Sequence, residues 1–478
     1  MKKIAFYLAL SIFSISCKKD SPPVIPPASN VDPVPKPGTV GGGITVTIDQ
    51  TQPSATIPAN FLGLSYETGV LSREPDFLSA HNTVLIQLMK NLGNGVLRVG
   101  GNSSDTISWT GKARTVTTSR DSLTTTDIDQ FSLFSKALGW PVLFGLNMVH
   151  YSPAIAANEA SYVANSLQDR LLAIQCGNEP DLYHLNGNRL PNYTYQDYAA
   201  QWNSYYLAIK TGLPTATFAG PDIGSNLNYI KSFLSDYKDK VPFFDCHYYN
   251  TGPASSPAIT DQTILASDIN LDGFLKELHS LSTAYHLPYR ISECNSVYDG
   301  GKAGVSDVFA SALWGLDFMW LVAENNGLGV NFHGGNDKVY GPLKIENHQV
   351  TAKPLYYAML AFKYGAAGNR IIPAIPSNKN YNFTSYACVN GEKTFVTLIN
   401  KDTTDLAVTI QMNRPASSMQ VYRLKAPAVN ASANITFAGK SVNNDGTFQE
   451  GAPESYPVAK NATVIDLPAR SAAVVEIL

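Results

Sequence analysis

Past its first few residues the chain has no run of Lys or Arg, and its formal net charge is only -3. Such a surface offers no broad cationic groove to a polyanion, so nucleic acid is not an expected partner. Neither C-x-x-C nor H-E-x-x-H occurs. The common zinc spacings are thereby absent, and no metal or organic cofactor is expected. The esterase elbow G-x-S-x-G is missing as well, so His333-Gly334-Gly335 does not read as the oxyanion loop of a serine hydrolase. There is no internal repeat and, beyond the N-terminal segment, no apolar run long enough to cross a membrane as a helix.

What is present is a chain of 478 residues, 44% hydrophobic and 15% charged, ample for one large core and a second smaller one. Aromatic residues reach 10%, with 25 Tyr and 5 Trp, a supply that suits stacking on sugar rings but is also ordinary for a large α/β protein.

The start, Met1-Lys2-Lys3 with an apolar stretch from Ile4 to Ile15 and then Ser16-Cys17-Lys18-Lys19, reads as a secretory signal. The small residue before Cys17 is similar to the lipobox of bacterial lipoproteins, although Ser14 stands where an apolar residue is usual. Residues 1–17 are therefore expected to be a lipoprotein signal peptide with Cys17 lipidated. The protein would be an exported bacterial lipoprotein, periplasmic or at the cell surface, touching a membrane only through that anchor. Pro22, Pro23, Pro26, Pro27, Pro33, Pro35 and Pro37, then a Gly run, make residues 18–43 an extended tether. Of the remaining cysteines, Cys176, Cys246, Cys294 and Cys388, most lie on apolar strand-like runs and read as buried thiols.

From residue 61 onward, apolar runs that end in polar residues recur: Phe61 to Glu67, Gly95 to Gly101, Val142 to Met148, Leu171 to Cys176, Thr215 to Pro221, Phe243 to Tyr249, Tyr289 to Cys294 and Gly329 to His333. Between them, Thr126 to Leu138, Tyr195 to Lys210, Asp268 to His286 and Ser306 to Asn325 carry apolar residues at helical spacing. Near-continuous apolar strands alternating with helices indicate a buried parallel sheet, and this number of units indicates a (β/α)8 TIM barrel over 57–355. After about Lys353 the texture changes to short alternating strands with turns such as Asn390-Gly391, a C-terminal β-sandwich over 356–478. The N-terminal strand within 44–56 alternates in the same way and is expected to join that sandwich. The sequence leaves the oligomeric state open, with a monomer favoured.

Barrel chemistry sits where strands end, and two carboxylates stand there: Glu179 after the fourth strand, beside Asn178, and Glu293 at the end of the seventh. Opposed across the mouth, such carboxyl groups lie about 5 Å apart, the separation for glycosidic cleavage by double displacement with retention. One attacks the anomeric carbon while the other protonates the leaving oxygen. A lone strand-end Glu is usually a cap or a surface group; Asn178 and a second Glu on an opposed strand weigh against that reading here. Arg98 reads as a buried cation pairing with barrel carboxylates, while His247 reads equally as part of a strand-end network or as a satisfied core residue. Trp314 and Trp320, at helical spacing, read as packing.

The run Leu97-Arg98-Val99-Gly100-Gly101-Asn102-Ser103-Ser104-Asp105, the stretch Gly177-Asn178-Glu179-Pro180-Asp181-Leu182-Tyr183, and Glu293 followed by Tyr298 and Gly300-Gly301 together resemble glycoside hydrolase family 79. The resemblance extends over roughly Ile44 to Leu478 and implies a retaining barrel glycosidase of the kind that includes β-glucuronidases and heparanases. It implies Glu179 as acid/base and Glu293 as nucleophile. It also implies Asn178 as the residue that holds the sugar's 2-hydroxyl, Glu67 as a contact on the far side of the ring, and Asn102 and Ser103 as polar loop contacts. Tyr248 corresponds to the tyrosine near the nucleophile, with Tyr249 its close rival, and Tyr298 and Gly300 to the loop that follows Glu293. For a uronate carboxylate it implies Tyr340 and backbone N–H groups beside it, in a loop where Val339 replaces the glycine of some relatives and where Lys338 reads either as an added charge or as a solvated loop lysine. The implied substrate is a β-glucuronide. A related retaining glycosidase for a neutral sugar, glucose or xylose, and a non-catalytic glycan-binding lipoprotein both stay open, and the few Lys and Arg near the motif loops favour terminal over internal cleavage.

Overall fold

The computed structural model describes residues 43–335, 338–346, 349–458 and 461–478. The expected signal peptide, Cys17 and the Pro-rich tether through residue 42 lie outside the described residues, and Gly43, expected to end the tether, already begins a strand.

Eight parallel strands form the barrel: β1 (Gly63–Glu67), β2 (Val96–Gly100), β3 (Val142–Leu146), β4 (Leu171–Cys176), β5 (Gly220–Ile223), β6 (Phe244–Thr251), β7 (Tyr289–Val297) and β8 (Val330–Gly335). They pair in the order β4-β3-β2-β1-β8-β7-β6-β5. The ring closes between β4 and the segment leading into β5, where Ile174 N–H donates to Thr217 O and Ala219 N–H to Ile174 O, both at 2.9 Å. Inward-facing Val96, Leu143, Ala173, Ala219 and Phe243 form an apolar floor. One pleat higher, the inward positions are polar: Arg98 follows Val96 on β2 and Gln175 follows Ala173 on β4. Outward-facing Leu97, Val99, Phe144 and Ile174 pack on the helices as part of the main core.

The expected helices are present at Thr125–Leu138, Tyr195–Gly212, Ile269–Tyr285 and Phe309–Glu324. Thr124 caps the first with a reciprocal capping box to Asp127, and Gly139 ends it in the left-handed conformation that costs glycine least. Helix Pro153–Leu167 was not singled out from the sequence, because its Ala and Asn positions blur the apolar period.

The C-terminal sandwich has two sheets. One holds Ala374–Pro376, the N-terminal strand Gly43–Ile48, Leu406–Met412 and Ala462–Leu467, in that order. The N-terminal strand runs parallel to Leu406–Met412 in register Ile44 to Val408, so Ile44, Val46 and Ile48 enter the sandwich core with Val408, Ile410, Val396 and Val475. Burying each such side chain stabilises by about 1.5–3 kcal/mol, which explains why a strand distant in sequence belongs here. The second sheet runs Arg370–Ile372, Phe383–Asn390, Lys393–Asn400, Ser471–Ile477, Met419–Lys425 and Thr436–Phe437. Helix Pro354–Gly365 crosses the expected boundary at 355/356 and packs against both helix Phe309–Glu324 and the second sheet. Trp320 of helix Phe309–Glu324 stacks on Tyr386 of that sheet with ring centroids 5.2 Å apart, the packing role expected for it. Cys176, Cys246, Cys294 and Cys388 are all free and buried.

Candidate active site

A cavity of about 1050 Å³ opens at the C-terminal ends of the barrel strands, lined by Glu179 and Glu293 among others. Glu179 follows β4 in the left-handed region, φ 51°, which turns the chain sharply into the short turn Pro180–Leu182. Its N–H donates to Asp222 O at 2.9 Å, tying the β4 turn to β5. Glu293 stands within β7, where the register with β6 shifts between Ile291 and Glu293. Such a bulge re-aims a side chain, here toward the barrel mouth. A carboxylate oxygen of each Glu and a ring nitrogen of His247 all lie within 4.8 Å of one another.

Beneath the pair, the fully buried Arg98 uses its whole donor fork. Nη1 donates to Glu293 Oε2 at 2.6 Å and to Ser65 Oγ at 3.0 Å, Nη2 to Asn178 Oδ1 at 2.8 Å and Asp222 Oδ2 at 2.7 Å, and Nε to Gln175 Oε1 at 3.0 Å. No guanidinium N–H is left unmade, which is what allows a buried charge to persist. Arg98 is thus the buried cation the sequence indicated. His247 resolves as a network residue: Nδ1 lies 2.9 Å from Glu179 Oε1 and Nε2 3.0 Å from Asp222 Oδ1. Asp222 also accepts from Gln175 Nε2 at 2.6 Å and Ser292 Oγ at 2.8 Å.

This environment pushes the two carboxyl groups in opposite directions. Burial raises the Glu179 pKa, and the nearby Glu293 and Asp181 charges add to it, while His247 opposes them. Burial acts the same way on Glu293, but His333, His247, Arg98 and the Tyr249 hydroxyl together outweigh it and hold the group well below the usual carboxylate range. His247 is disfavoured as a cation by burial, yet the Asp222 and Glu293 carboxylates raise it well above the ordinary imidazole value. A pair whose pKa values are driven apart carries separate acid and base roles.

Of the other residues the sequence singled out, Glu67, Asn102, Ser103, Tyr248, Tyr298, Gly300 and Tyr340 line the cavity. Glu67 accepts from Ser103 N–H at 2.7 Å and faces His333 Nε2 at 3.6 Å. Gly101 is required beside it: with φ 71°, any Cβ there would lie 2.8 Å from the Glu67 carboxylate. The Ser103 hydroxyl is held by Gly69 N–H at 2.8 Å. Asn178 is buried, its Oδ1 accepting from Arg98 and its Nδ2 donating at 3.2 Å to the Oδ1 of Asn102, which lines the cavity.

Two expectations need correction. The tyrosine on Glu293 is Tyr249, whose hydroxyl donates to Oε1 at 2.7 Å, whereas the Tyr248 hydroxyl turns to Asp268 at 2.5 Å. Successive residues of a strand point oppositely, and the bulged register of β6 against β7 decides which faces the carboxylate. Two backbone donors at Tyr340 are also engaged by the protein itself: Tyr340 N–H donates to Gly300 O of the loop after β7, and Gly341 N–H to Lys338 O. Asn336 and Asp337 of that loop lie outside the described residues.

Asp222 is the residue that sequence reasoning missed. The fifth strand was expected at Thr215 to Pro221, but the strand is Gly220–Ile223, with a register shift between Pro221 and Ile223 that sets Asp222 into the barrel at φ 54°. An acidic residue just past an apolar run was the available signal. Asp105 has a comparable anchoring role: its carboxylate accepts from Met148 N, Val149 N, Asn178 N and the Tyr183 hydroxyl, and so fixes the β4 turn. Glu179, His247 and Glu293 are also ligand types a divalent cation takes. The Arg98 guanidinium against Glu293 puts a positive charge beside that position, so the donor set suits shared protons better than a metal.

A model of the glycosyl hydrolase family 79 C-terminal beta domain matches residues 385–474, within the sandwich. A beta-glucuronidase of Aspergillus niger is 27% identical over 486 residues, covering 84% of this chain and 88% of that protein. A beta-glucuronidase of Neurospora crassa is 25% identical over 381 residues, covering 68% of this chain and 66% of that protein. Among solved structures, a 4-O-alpha-L-rhamnosyl-beta-D-glucuronidase from Fusarium oxysporum superposes with a TM-score of 0.73 at 18% identity, over 91% of this chain and 100% of that one. The barrel, its sandwich and the paired carboxylates at its mouth define a glycoside hydrolase. Within that class, the match to the family 79 C-terminal domain and the similarity to the two beta-glucuronidases support glycoside hydrolase family 79.

Proposed function

We propose that the protein is a retaining glycosidase that releases β-linked glucuronic acid. Glu293 attacks the anomeric carbon as Glu179 gives its proton to the departing oxygen, and the glycosidic C–O bond breaks. Glu179, now ionised, then takes a proton from water, whose oxygen attacks the anomeric carbon and frees Glu293. The observation that carries this reading is the pair itself, oxygens within 4.8 Å with pKa values driven apart, since inverting enzymes separate their carboxyl groups by about 6.5–9.5 Å to admit water. Tyr249 and Arg98 on Glu293 hold it ionised and aimed. The uronate is supported by the relatives named for it and by Tyr340 and Lys338 on one wall of the cavity, a hydroxyl donor and a cation for a carboxylate.

The test is the product of an aryl β-glucuronide followed by NMR. The β-anomer should form first, and a 2-deoxy-2-fluoro glucuronyl fluoride should label Glu293; first formation of the α-anomer, or a label elsewhere, would sink the mechanism. Faster turnover of aryl β-glucosides or β-xylosides would move the assignment to a neutral sugar. The N-terminal segment supports export and lipidation at Cys17. Cys17→Ala should shift the protein from the membrane to the soluble fraction, and equal membrane retention would reject the anchor.

A further inference from the structure

The cavity has two chemically different walls. On one side, in the loops after β1 and β8, stand Arg73 and Lys338, with Glu67 and His333. On the other, after β4, β5 and β6, stand Leu182, Gly224, Ser225, Tyr248, Asn270 and Phe274, and among the described residues no Lys or Arg lines this side. Glu179 belongs to the second wall: a Cβ at Gly224 would lie 3.1 Å from Glu179 Oε1 and 2.7 Å from Leu182 Cδ1.

A proton donor must reach the leaving oxygen within about 2.6–3.2 Å. Whatever is bonded to that oxygen therefore lies along this wall. Its surface is apolar with neutral polar groups between. Phe274, half-buried on helix Ile269–Tyr285, faces Tyr248 with ring centroids 5.1 Å apart, and because the Tyr248 hydroxyl is taken up by Asp268, the wall receives the ring and not the phenol. Asn270 and Ser225 add donors and acceptors without charge. An anionic leaving group would meet no Lys or Arg here, would find His247 already shared between Glu179 and Asp222, and would approach the Glu179–Glu293 carboxylates directly.

We infer that the leaving-group site takes an uncharged partner with a flat apolar face, an aryl ring or a neutral sugar, seated against Phe274 and Leu182, and rejects a sulfated sugar. The inference rests on Glu179 as the proton donor. It is tested by comparing glucuronyl fluoride, whose leaving group is too small to reach the wall, with an aryl β-glucuronide and with matched glucuronyl-N-acetylglucosamines bearing or lacking a 6-O-sulfate. The wild type should prefer the unsulfated disaccharide. Phe274→Ala should lower kcat/KM on the aryl glucuronide about tenfold more than on the fluoride. Phe274→Lys should raise the sulfated-to-unsulfated ratio. Equal losses on aryl and fluoride substrates, or equal turnover of the two disaccharides by the wild type, would overturn the inference. Should glucuronyl fluoride fail while another glycosyl fluoride is cleaved, the sugar assignment falls and the same aryl-to-fluoride ratio is read on that sugar.

Discussion

The Glu179 N–H donates to the carbonyl of Asp222 across 2.9 Å, and both residues hold left-handed backbone, φ 51° and 54°. This link joins β4 to β5 at the barrel mouth and places the Asp222 carboxylate where His247 bridges it to Glu179. The candidate proton donor is thus held at its backbone by the same residue that governs the imidazole on its side chain.

Asp222→Asn removes the charge shared by Arg98 and His247 and turns an amide N–H toward one of these donors. His247 then loses a carboxylate that favours its charged form, and Glu179 loses the imidazolium that opposes its raised pKa. Glu179 must be protonated for the first step, so activity falls as pH rises through its pKa, and a further increase in that pKa moves this basic limb upward. The pH profile of kcat/KM should show the limb displaced to higher pH, with a plateau lower by about tenfold or more. A lower plateau with an unmoved limb would mean that Asp222 acts only on packing.

Tyr249→Phe takes one donor from Glu293, which is held in its ionised form partly by that hydroxyl. Since Glu293 must be ionised to attack, its rising pKa should move the acidic limb of the profile upward, with kcat down by about 10–100-fold. Tyr248→Phe loses only the bond to Asp268, the residue that caps helix Ile269–Tyr285, and its effect on kcat should be smaller. Steady-state kinetics of the two variants on one aryl glucuronide separates them; the reverse order would return Tyr248 to the nucleophile.

Where barrel helix Phe309–Glu324 meets the sandwich, Asp317 accepts from Lys401 Nζ at 2.5 Å, Thr384 Oγ1 at 2.6 Å and Tyr386 OH at 2.7 Å. Asp317→Ala leaves the buried Lys401 ammonium without its counter-ion and should cost about 3–5 kcal/mol, read as a lower urea midpoint. Replacing both partners by apolar residues, Asp317→Leu with Lys401→Met, should recover much of that loss. If the double variant is as unstable as the single one, the unpaired charge is not the cause.

Much of this architecture was legible because burial imposes a period on sequence. Strands covered on both faces are apolar throughout, and helices covered on one face repeat near every fourth residue, so the barrel units and Glu179 and Glu293 at their ends could be read directly. The alternation of Ile44, Val46 and Ile48 likewise announced a sandwich strand. Asp222 was not legible, since a bulge and a left-handed residue leave no periodic trace, and a strand boundary misjudged by a few residues hid it.

By itself, then, the sequence determined the class of fold and the two carboxylates, because hydrophobic pattern and strand-end position are local properties of the chain. Which tyrosine touches Glu293, that Arg98 binds the Asn178 amide, and that Asp222 and His247 brace Glu179 were decided only by the tertiary structure. These depend on register between strands distant in sequence, and a shift of one residue there turns a side chain from the barrel interior to its exterior.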